Sequence, residues 1–394
     1  MELDRDSEQQ LFGRPVESVL TAFDRRALKG RRLLVTGAGG SVGSELARQL
    51  ASCTPASLTL IDHAEYNLFR VEHRLRIEYP SLPIHAVLGD VSRRADIRSA
   101  CLAARPHTVY HAAAYKHVPV TEVSVVAAAR TNVLGTAETI RAAREVGARL
   151  LLVSSDKAAD PRSVMGATKR LAELVAVYQR SRLFRPVVVR FGNILGSSGS
   201  VVEIMANTVR AGRNVPVTDP AATRFFMTAE EAVSLIIKAD LMGRGGDVFW
   251  LDMGQPLRIG DLAERIIDWA TPEGRPRVGM DIIGLRPGEK LREELTTQGL
   301  EMKTTSHARI LYARQLDVSR TLIQQAVTRL RRACAAGDAA MALETLIKAV
   351  PDYEASEVAV KTARLASLRV NAPSTRLPRS ADGALRQDAL GRPA

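Results

Sequence analysis

Aromatic residues make up only 4% of the 394-residue chain, cysteine occurs three times, and long apolar runs are missing. Each scarcity excludes something. The aromatics are too few for a base-stacking surface, so no nucleic-acid partner is expected. Cys53, Cys101 and Cys334 are far apart, odd in number and form no CxxC, which supports neither a disulfide framework nor a thiolate zinc site. They read as small buried hydrophobes, and no metal is expected. No uninterrupted apolar stretch approaches the roughly 18 to 20 residues of a membrane span. The opening MELDRDSEQQ is too acidic and polar for a signal peptide, so the expected location is cytoplasmic.

What is present is an ordinary globular composition, 46% hydrophobic and 25% charged, which rules out disorder as the main state. Fifty-five Lys and Arg against 43 Asp and Glu leave a net charge of +12. A basic excess alone fits nucleic acid or an anionic small molecule, but here the basic residues are interspersed with acids rather than gathered in blocks. At roughly 150 residues per domain the length suggests about two or three units.

The organisation follows from alternation. Residues 1–30 read as a lead-in with a short helix, ending in LKGRR. From residue 31 to 195, short apolar runs (RLLVT, SLTLID, PIHAVLGD, TVYHAAA, RLLLVSSD, PVVVRFGNIL) alternate with helical stretches. That regularity implies an α/β fold with a parallel sheet and helices on both faces, a Rossmann-type doubly wound domain whose sheet is completed by later segments. Residues 196–312 loosen into a smaller α/β substrate lobe, residues 313–356 return to helices, and 357–394 is expected to be a disordered basic tail.

One motif has a mechanism of its own. Gly37, Gly40 and Gly43 in TGAGGSVG lie between a strand and a helix, where glycines permit a tight turn and let backbone N–H groups approach a pyrophosphate at the helix N-terminus. Asp62 ends the next strand, where a carboxylate accepts from both ribose hydroxyls and repels a 2′-phosphate, favouring NAD over NADP. The alternative for Asp62 is a helix N-cap. Asp90 in LGDV fits an adenine-edge contact or a plain turn aspartate.

Further along, VYHAAAYKHVP, RTNVLGT, LLVSSDKAADPRSVMGATKRLAE, RFGNILGSSGSV, TRFFMT, VFWLDMGQP and GLRPGEKLREEL follow in order. With these motifs the chain resembles extended short-chain dehydrogenases of the polysaccharide-biosynthesis (CapD-like) group, and more narrowly UDP-N-acetylglucosamine 4,6-dehydratases, over about residues 11 to 356. The resemblance implies tightly bound NAD, regenerated at each turnover and held by Gly37, Gly40, Ser41, Val42, Gly43, Asp62, Asp90, Val91, Ala112, Ala113, Ala114, Asn132 and Lys169. It implies a UDP-sugar held by Lys116, His117, Asn193, Ser200, Val201, Arg224, Arg258, Arg286 and Glu289. Guanidinium matches phosphate bidentately, although each arginine also suits a surface salt bridge, and Glu289 suits loop bracing. His307 reads as structural. A homo-oligomer, dimer or higher, is expected because helices next to the YxxxK-like helix often form dimer interfaces in this superfamily.

Three departures shape the chemistry. Met165 replaces the tyrosine of YxxxK, giving Met165-Gly-Ala-Thr-Lys169, and cannot ionise. The methionine branch of the resembled family usually carries an N-terminal membrane region, which is expected to be missing here, with LFGRPVE as the linker left behind. Ser155 stands where threonine is common, and Arg292 where tyrosine often follows GEKL. The catalytic set is then Ser155, Asp156, Lys157, Met165 and Lys169. Lys157, lowered by burial, is the expected base at C5, and Asp156 exchanges a proton with the C4 or C6 oxygen. Ser155 bonds the C4 oxygen, Lys169 holds the nicotinamide ribose, and Met165 forms a non-ionisable wall that leans towards retention at C5. The expected reaction is C4 oxidation, water loss across C5 and C6, and hydride return to C6. The rivals are an epimerase or reductase of the same superfamily, or a non-catalytic nucleotide-sugar binding protein.

Overall fold

The computed structural model describes residues 5–13, 18–293, 302–313 and 319–370. Two helices, α1 (Arg5–Phe12) and α2 (Ala22–Leu28), precede the alternation. There follow β1 (Arg32–Thr36), α3 (Ser41–Ala51), β2 (Ser57–Asp62), α4 (Glu65–Glu78), β3 (Ile84–Leu88), α5 (Arg94–Ala104) and β4 (Thr108–His111). Next come α6 (Val118–Glu122), α7 (Val125–Ala128), a π-helical turn Ala129–Leu134, α8 (Gly135–Glu145), β5 (Arg149–Val153), α9 (Val164–Tyr178) and β6 (Pro186–Arg190). Then follow β7 (Asn193–Ile194), α10 (Val201–Arg210), β8 (Val215–Val217), β9 (Thr223–Arg224), β10 (Phe226–Met227), α11 (Ala229–Met242), β11 (Asp247–Leu251), β12 (Leu257–Arg258), α12 (Ile259–Ala270) and β13 (Met280–Ile282). The described chain ends with β14 (Lys303–Thr304), β15 (Ile310–Ala313), α13 (Arg320–Ala336), α14 (Ala339–Ala349) and α15 (Glu357–Val370).

The main sheet runs β14-β15-β11-β6-β5-β4-β1-β2-β3, with β15 antiparallel to β11 and the strands from β11 to β3 mutually parallel. It is a Rossmann-type sheet, and β11 and β15 join it from the later half of the chain. Successive strands alternate faces. Leu34, Val109, Leu150, Leu152 and Val188 therefore enter one core with α5, α8 and α9, while Leu33, Val35, Leu58, Leu60 and Leu151 enter the other with α3, α4 and α11. Strand order reverses between β1 and β4, which opens a crevice at the carboxyl ends of the strands. A smaller lobe has its own core around α10, α12, β8 and β13.

Two expectations change. The lead-in is a packed part of the lobe: Leu11 and Phe12 are buried against α12, Trp269 donates to Ser7 and Arg265 to the Leu11 carbonyl. Residues 14–17, the rest of the expected linker, lie outside the described residues. The tail does not become irregular at Glu357, because α15 buries Ala359 and Ala363 at i, i+4 spacing against α14. Residues 371–394 lie outside the described residues. The helix of the YxxxK-like segment, α9, is buried from Val164 to Ala176, with α13 and α14 of the same chain packed on it.

Leu346 on α14 is fully buried. Leu346→Ala should lower stability by about 2–5 kcal/mol through lost burial and a residual cavity, in one cooperative denaturant transition. A second, separate transition would show that the C-terminal helices fold apart from the sheet.

Candidate active site

The first wall of the crevice is the glycine turn. Gly37 sits at φ +65°, and a Cβ there would come within 2.6 Å of the Ala113 backbone. A Cβ on Gly43 would lie 1.9 Å from the Gly37 carbonyl oxygen. Only glycine fits either place. Gly40 caps α3 without any side-chain hydrogen bond, so the first-turn N–H groups at Ser41, Val42 and Gly43 have no carbonyl within the helix to bond. Asp62, buried at the end of β2, accepts from Gly39 N–H at 2.8 Å and Ala64 N–H at 2.9 Å. It stands behind the glycine turn rather than in the cleft lining, and Ala64, not Asp62, caps α4.

Asp90 and Val91 stay out of the lining. Asp90 accepts from Ser92 N–H, an ordinary turn bond, and Val91 is buried beneath Gly135. Ala112 and Ala114 line the cleft at the end of β4, and Ala113 backs the glycine turn. Asn132 is buried and spends its amide on both backbone groups of Tyr115 and on the Thr168 hydroxyl, which fixes the loop leading to Lys116 and His117. Both of those line the cleft. Lys116 donates to Ser197 at 3.3 Å, and the His117 ring lies under Gly199.

At the end of β5 the expected catalytic residues converge. Ser155 and Lys157 line the cleft, with Asp156 just behind them. The Ser155 hydroxyl donates to Asp156 Oδ1 at 2.8 Å, and Lys157 Nζ stands 3.2 Å from the same oxygen. Lys157 also reaches Asn193 Oδ1 at 3.4 Å and Glu293 Oε1 at 3.5 Å. Burial, the largest influence on Lys157, pulls its pKa down, but Asp156 and Glu293 more than reverse it and hold the ammonium above its usual range. The expectation that burial alone frees this amine as a base is therefore corrected. In this arrangement Lys157 is charged.

Behind the turn lies an ion pair sealed from water. Glu173 of α9 accepts from Ser154 at 2.6 Å and from Arg190 Nε at 2.6 Å, while Arg190 also donates to the Ala158 carbonyl and stacks 4.8 Å from the Trp250 ring centroid. Burial works to raise Glu173, yet Arg190, Arg170 and Ser154 hold it below the usual carboxylate range. Met165 and Lys169 of α9 both line the cleft. Lys169 donates to the Val153 carbonyl at 2.6 Å, and burial pulls its pKa down to about 8 against the opposing charge of Glu173. Beneath, His111 bridges the Thr36 and Thr136 hydroxyls and is pushed down to about 3 by burial, so it is a neutral structural ring.

The lobe closes the cleft, whose volume is about 760 Å³, with Asn193, Ser200, Val201, Arg224, Arg286, Glu289 and Glu293. Arg224 departs from a free diphosphate ligand. Its guanidinium donates to the carbonyls of Thr223, Lys290 and Leu291 and stands 3.6 Å from Glu293, so it also staples the loop that carries Glu289. Arg258 is an exposed residue before α12 and is not brought to the cleft. His307 accepts from Arg309 N–H within its own turn. Among the described residues no His, Cys, Asp and Glu cluster could hold a metal. No helix among them is long and apolar enough to cross a membrane.

The profile described as polysaccharide biosynthesis protein matches residues 33–315. The chain belongs to that polysaccharide biosynthesis family. Another match is the capsular polysaccharide biosynthesis protein CapD of Staphylococcus aureus, 40% identical over 291 residues, 73% of this chain and 48% of CapD. The chain thus spans about half the length of that relative. A UDP-glucose 4-epimerase of Rickettsia canadensis is 31% identical over 276 residues, 68% of this chain and 78% of the epimerase. The solved structure of Pen from Bacillus thuringiensis overlays with a TM-score of 0.68 at 27% identity, covering 76% of this chain and 98% of Pen.

Sequence reasoning missed Glu293, because its partners Lys157 and Arg224 are remote in the chain and no spacing rule joins them. It also missed Glu173 and Arg190, whose alignment requires α9 to lie over β5 and β6. Glu293→Gln should lower the Lys157 pKa, since burial then faces one carboxylate instead of two. Lysine-selective NMR titration of the folded variant checks this, and an unchanged value would remove Glu293 from the site. A second expectation concerns pH. The folded pKa of Lys169, about 8, lies below the unfolded value of roughly 10.4, so between them the unfolded state binds the extra proton and stability should rise with pH. Lys169→Met should flatten that rise in denaturant melts, and a slope that survives would assign it elsewhere.

Proposed function

We propose that this chain is an NAD-dependent nucleotide-sugar 4,6-dehydratase converting UDP-N-acetylglucosamine to a UDP-4-keto-6-deoxy sugar. The observation that carries the reading is the linked set Ser155, Asp156, Lys157 and Glu293, which shares one cleft with the glycine turn. An epimerase returns hydride to the carbon it left and has no use for an acid–base set serving C5 and C6. The lysine after the aspartate in SSDK supports the UDP-N-acetylglucosamine type. Capsular polysaccharide synthesis, the role printed for CapD, is a process in which such sugars are made.

The residues fit a dinucleotide. Gly37 and Gly43 leave no space for a Cβ, the uncapped start of α3 offers N–H donors to a diphosphate, and Asp62 suits ribose hydroxyls better than a 2′-phosphate. Bound NAD would supply the acceptor for the hydride leaving C4 and the donor for the hydride arriving at C6. Lys169 would hold the nicotinamide ribose, and Met165 would keep water from the sugar face.

The chain's own work is proton traffic. Ser155 takes the C4 hydroxyl proton and passes its own to Asp156, 2.8 Å away. With Asp156 neutral, Lys157 loses one of the two carboxylates that hold it charged, and burial then favours the amine. Its proton moves to Glu293, and the amine takes the proton from C5. Asp156 protonates the leaving C6 hydroxyl as water, Lys157 returns a proton to C5, and Glu293 restores the ammonium. Every group ends as it began. Because one amine removes and returns the C5 proton from one side, C5 is retained.

Purified protein with UDP-N-acetylglucosamine and no added nicotinamide should yield product lighter by one water, with no net change in nicotinamide absorbance. Asp156→Asn should lower kcat by about 10²–10⁴-fold. Sugar inverted at C4 with its mass unchanged would establish an epimerase. Unchanged sugar, even with added NAD, would overturn the dehydratase reading for this substrate.

A further inference from the structure

Glu122 closes α6, just beyond Lys116 and His117, and its side chain is buried with no basic partner among the described residues. Three separate segments meet on it. Oε1 accepts from Val164 N–H at 2.7 Å, in the first turn of the helix that carries Met165 and Lys169. Oε2 accepts from the hydroxyl of Ser356, which lies between α14 and α15 and also bonds Ala359 N–H. A Cβ placed on Gly288, at φ +77°, would lie 3.2 Å from the Glu122 carboxyl carbon and 3.0 Å from Ser163 Cβ. The loop holding Arg286 and Glu289 therefore rests directly on this carboxyl group. Two ion pairs brace the same junction from outside, Lys290 with Asp160 at 2.6 Å and Arg162 with Glu354. Ser356 and Glu354 lie beyond residues 33–315, the part of the chain that the family profile matches.

We infer that Glu122 is a positioning residue through which the C-terminal helices hold the start of α9 and the Arg286–Glu289 loop in register across the cleft. The kinetic part of this inference rests on the dehydratase reading. A carboxylate suits the junction because it accepts from two donors on different segments at once, and an apolar side chain would leave Val164 N–H buried without a partner. Glutamine keeps one acceptor for Val164 and an amide that can donate to the Ser356 oxygen, so it is the conservative variant. Ser356→Val breaks the link from the other end and leaves Glu122 in place.

The test is hydrogen–deuterium exchange on the full-length chain, comparing wild type, Glu122→Gln, Glu122→Leu and Ser356→Val, together with kcat and KM for UDP-N-acetylglucosamine. Glu122→Leu and Ser356→Val should speed exchange across residues 284–290 and 161–166 by roughly tenfold and raise KM more than they lower kcat, while Glu122→Gln stays close to wild type. Exchange is read without substrate, so a wild-type chain that fails to turn over this sugar would sink the dehydratase reading and still leave Glu122 decided. Unchanged exchange in 284–290 in folded Ser356→Val and Glu122→Leu proteins would overturn the inference. If Glu122→Leu does not fold, Ser356→Val alone decides it.

Discussion

The site depends on one buried ion pair. Glu173 and Arg190 are sealed from water, and each holds a different part of the turn after β5: Glu173 takes the Ser154 hydroxyl, and Arg190 takes the Ala158 carbonyl. Asp156 and Lys157 lie between those two anchors. Because Glu173 belongs to α9, the same pair also sets that helix, and with it Met165 and Lys169, against the sheet. Removing one partner would strand an uncompensated charge in the core, which typically costs about 3–5 kcal/mol. The turn that carries Asp156 and Lys157 is thus tied to the core on both sides.

A cleft without the usual tyrosine needs another place for the hydroxyl proton, and the structure offers a short chain instead of a single phenol. Ser155, Asp156, Lys157 and Glu293 lie within hydrogen-bond or ion-pair reach of one another in sequence. One ammonium there faces two carboxylates, so burial and neighbours oppose each other at Lys157. A proton arriving at one end can then shift the preference at the other. Arg224 and Glu122 keep the loop that bears Glu289 and Glu293 against this set, one by carbonyl contacts and one through the packing at Gly288.

Much of this was legible in the residues, for reasons that can be named. The β runs are short, apolar and regularly interrupted, so RLLVT, SLTLID and RLLLV read as buried parallel strands, and Gly37 and Gly43 fall where only glycine fits. What depended on remote packing was not legible. Arg258 looked like a phosphate ligand by type, but its place before α12 points it to solvent. The α15 segment is polar with small alanines, too weak a pattern to read as a helix until α14 is there to cover it. Burial suggested a depressed amine at Lys157, but Asp156 beside it, together with Glu293 that only the fold brings near, reverses that.

The central claim is that hydride leaves C4 and returns to C6 of the same sugar while Lys157 handles the C5 proton. Incubating UDP-N-acetylglucosamine deuterated at C4 in ordinary water, and locating the label in the product by NMR, tests it most directly. The account predicts deuterium at C6 and, in a parallel reaction in deuterium oxide, solvent deuterium at C5 with retained configuration. Label remaining at C4 in a product of unchanged mass, or label lost from the sugar altogether, would contradict it.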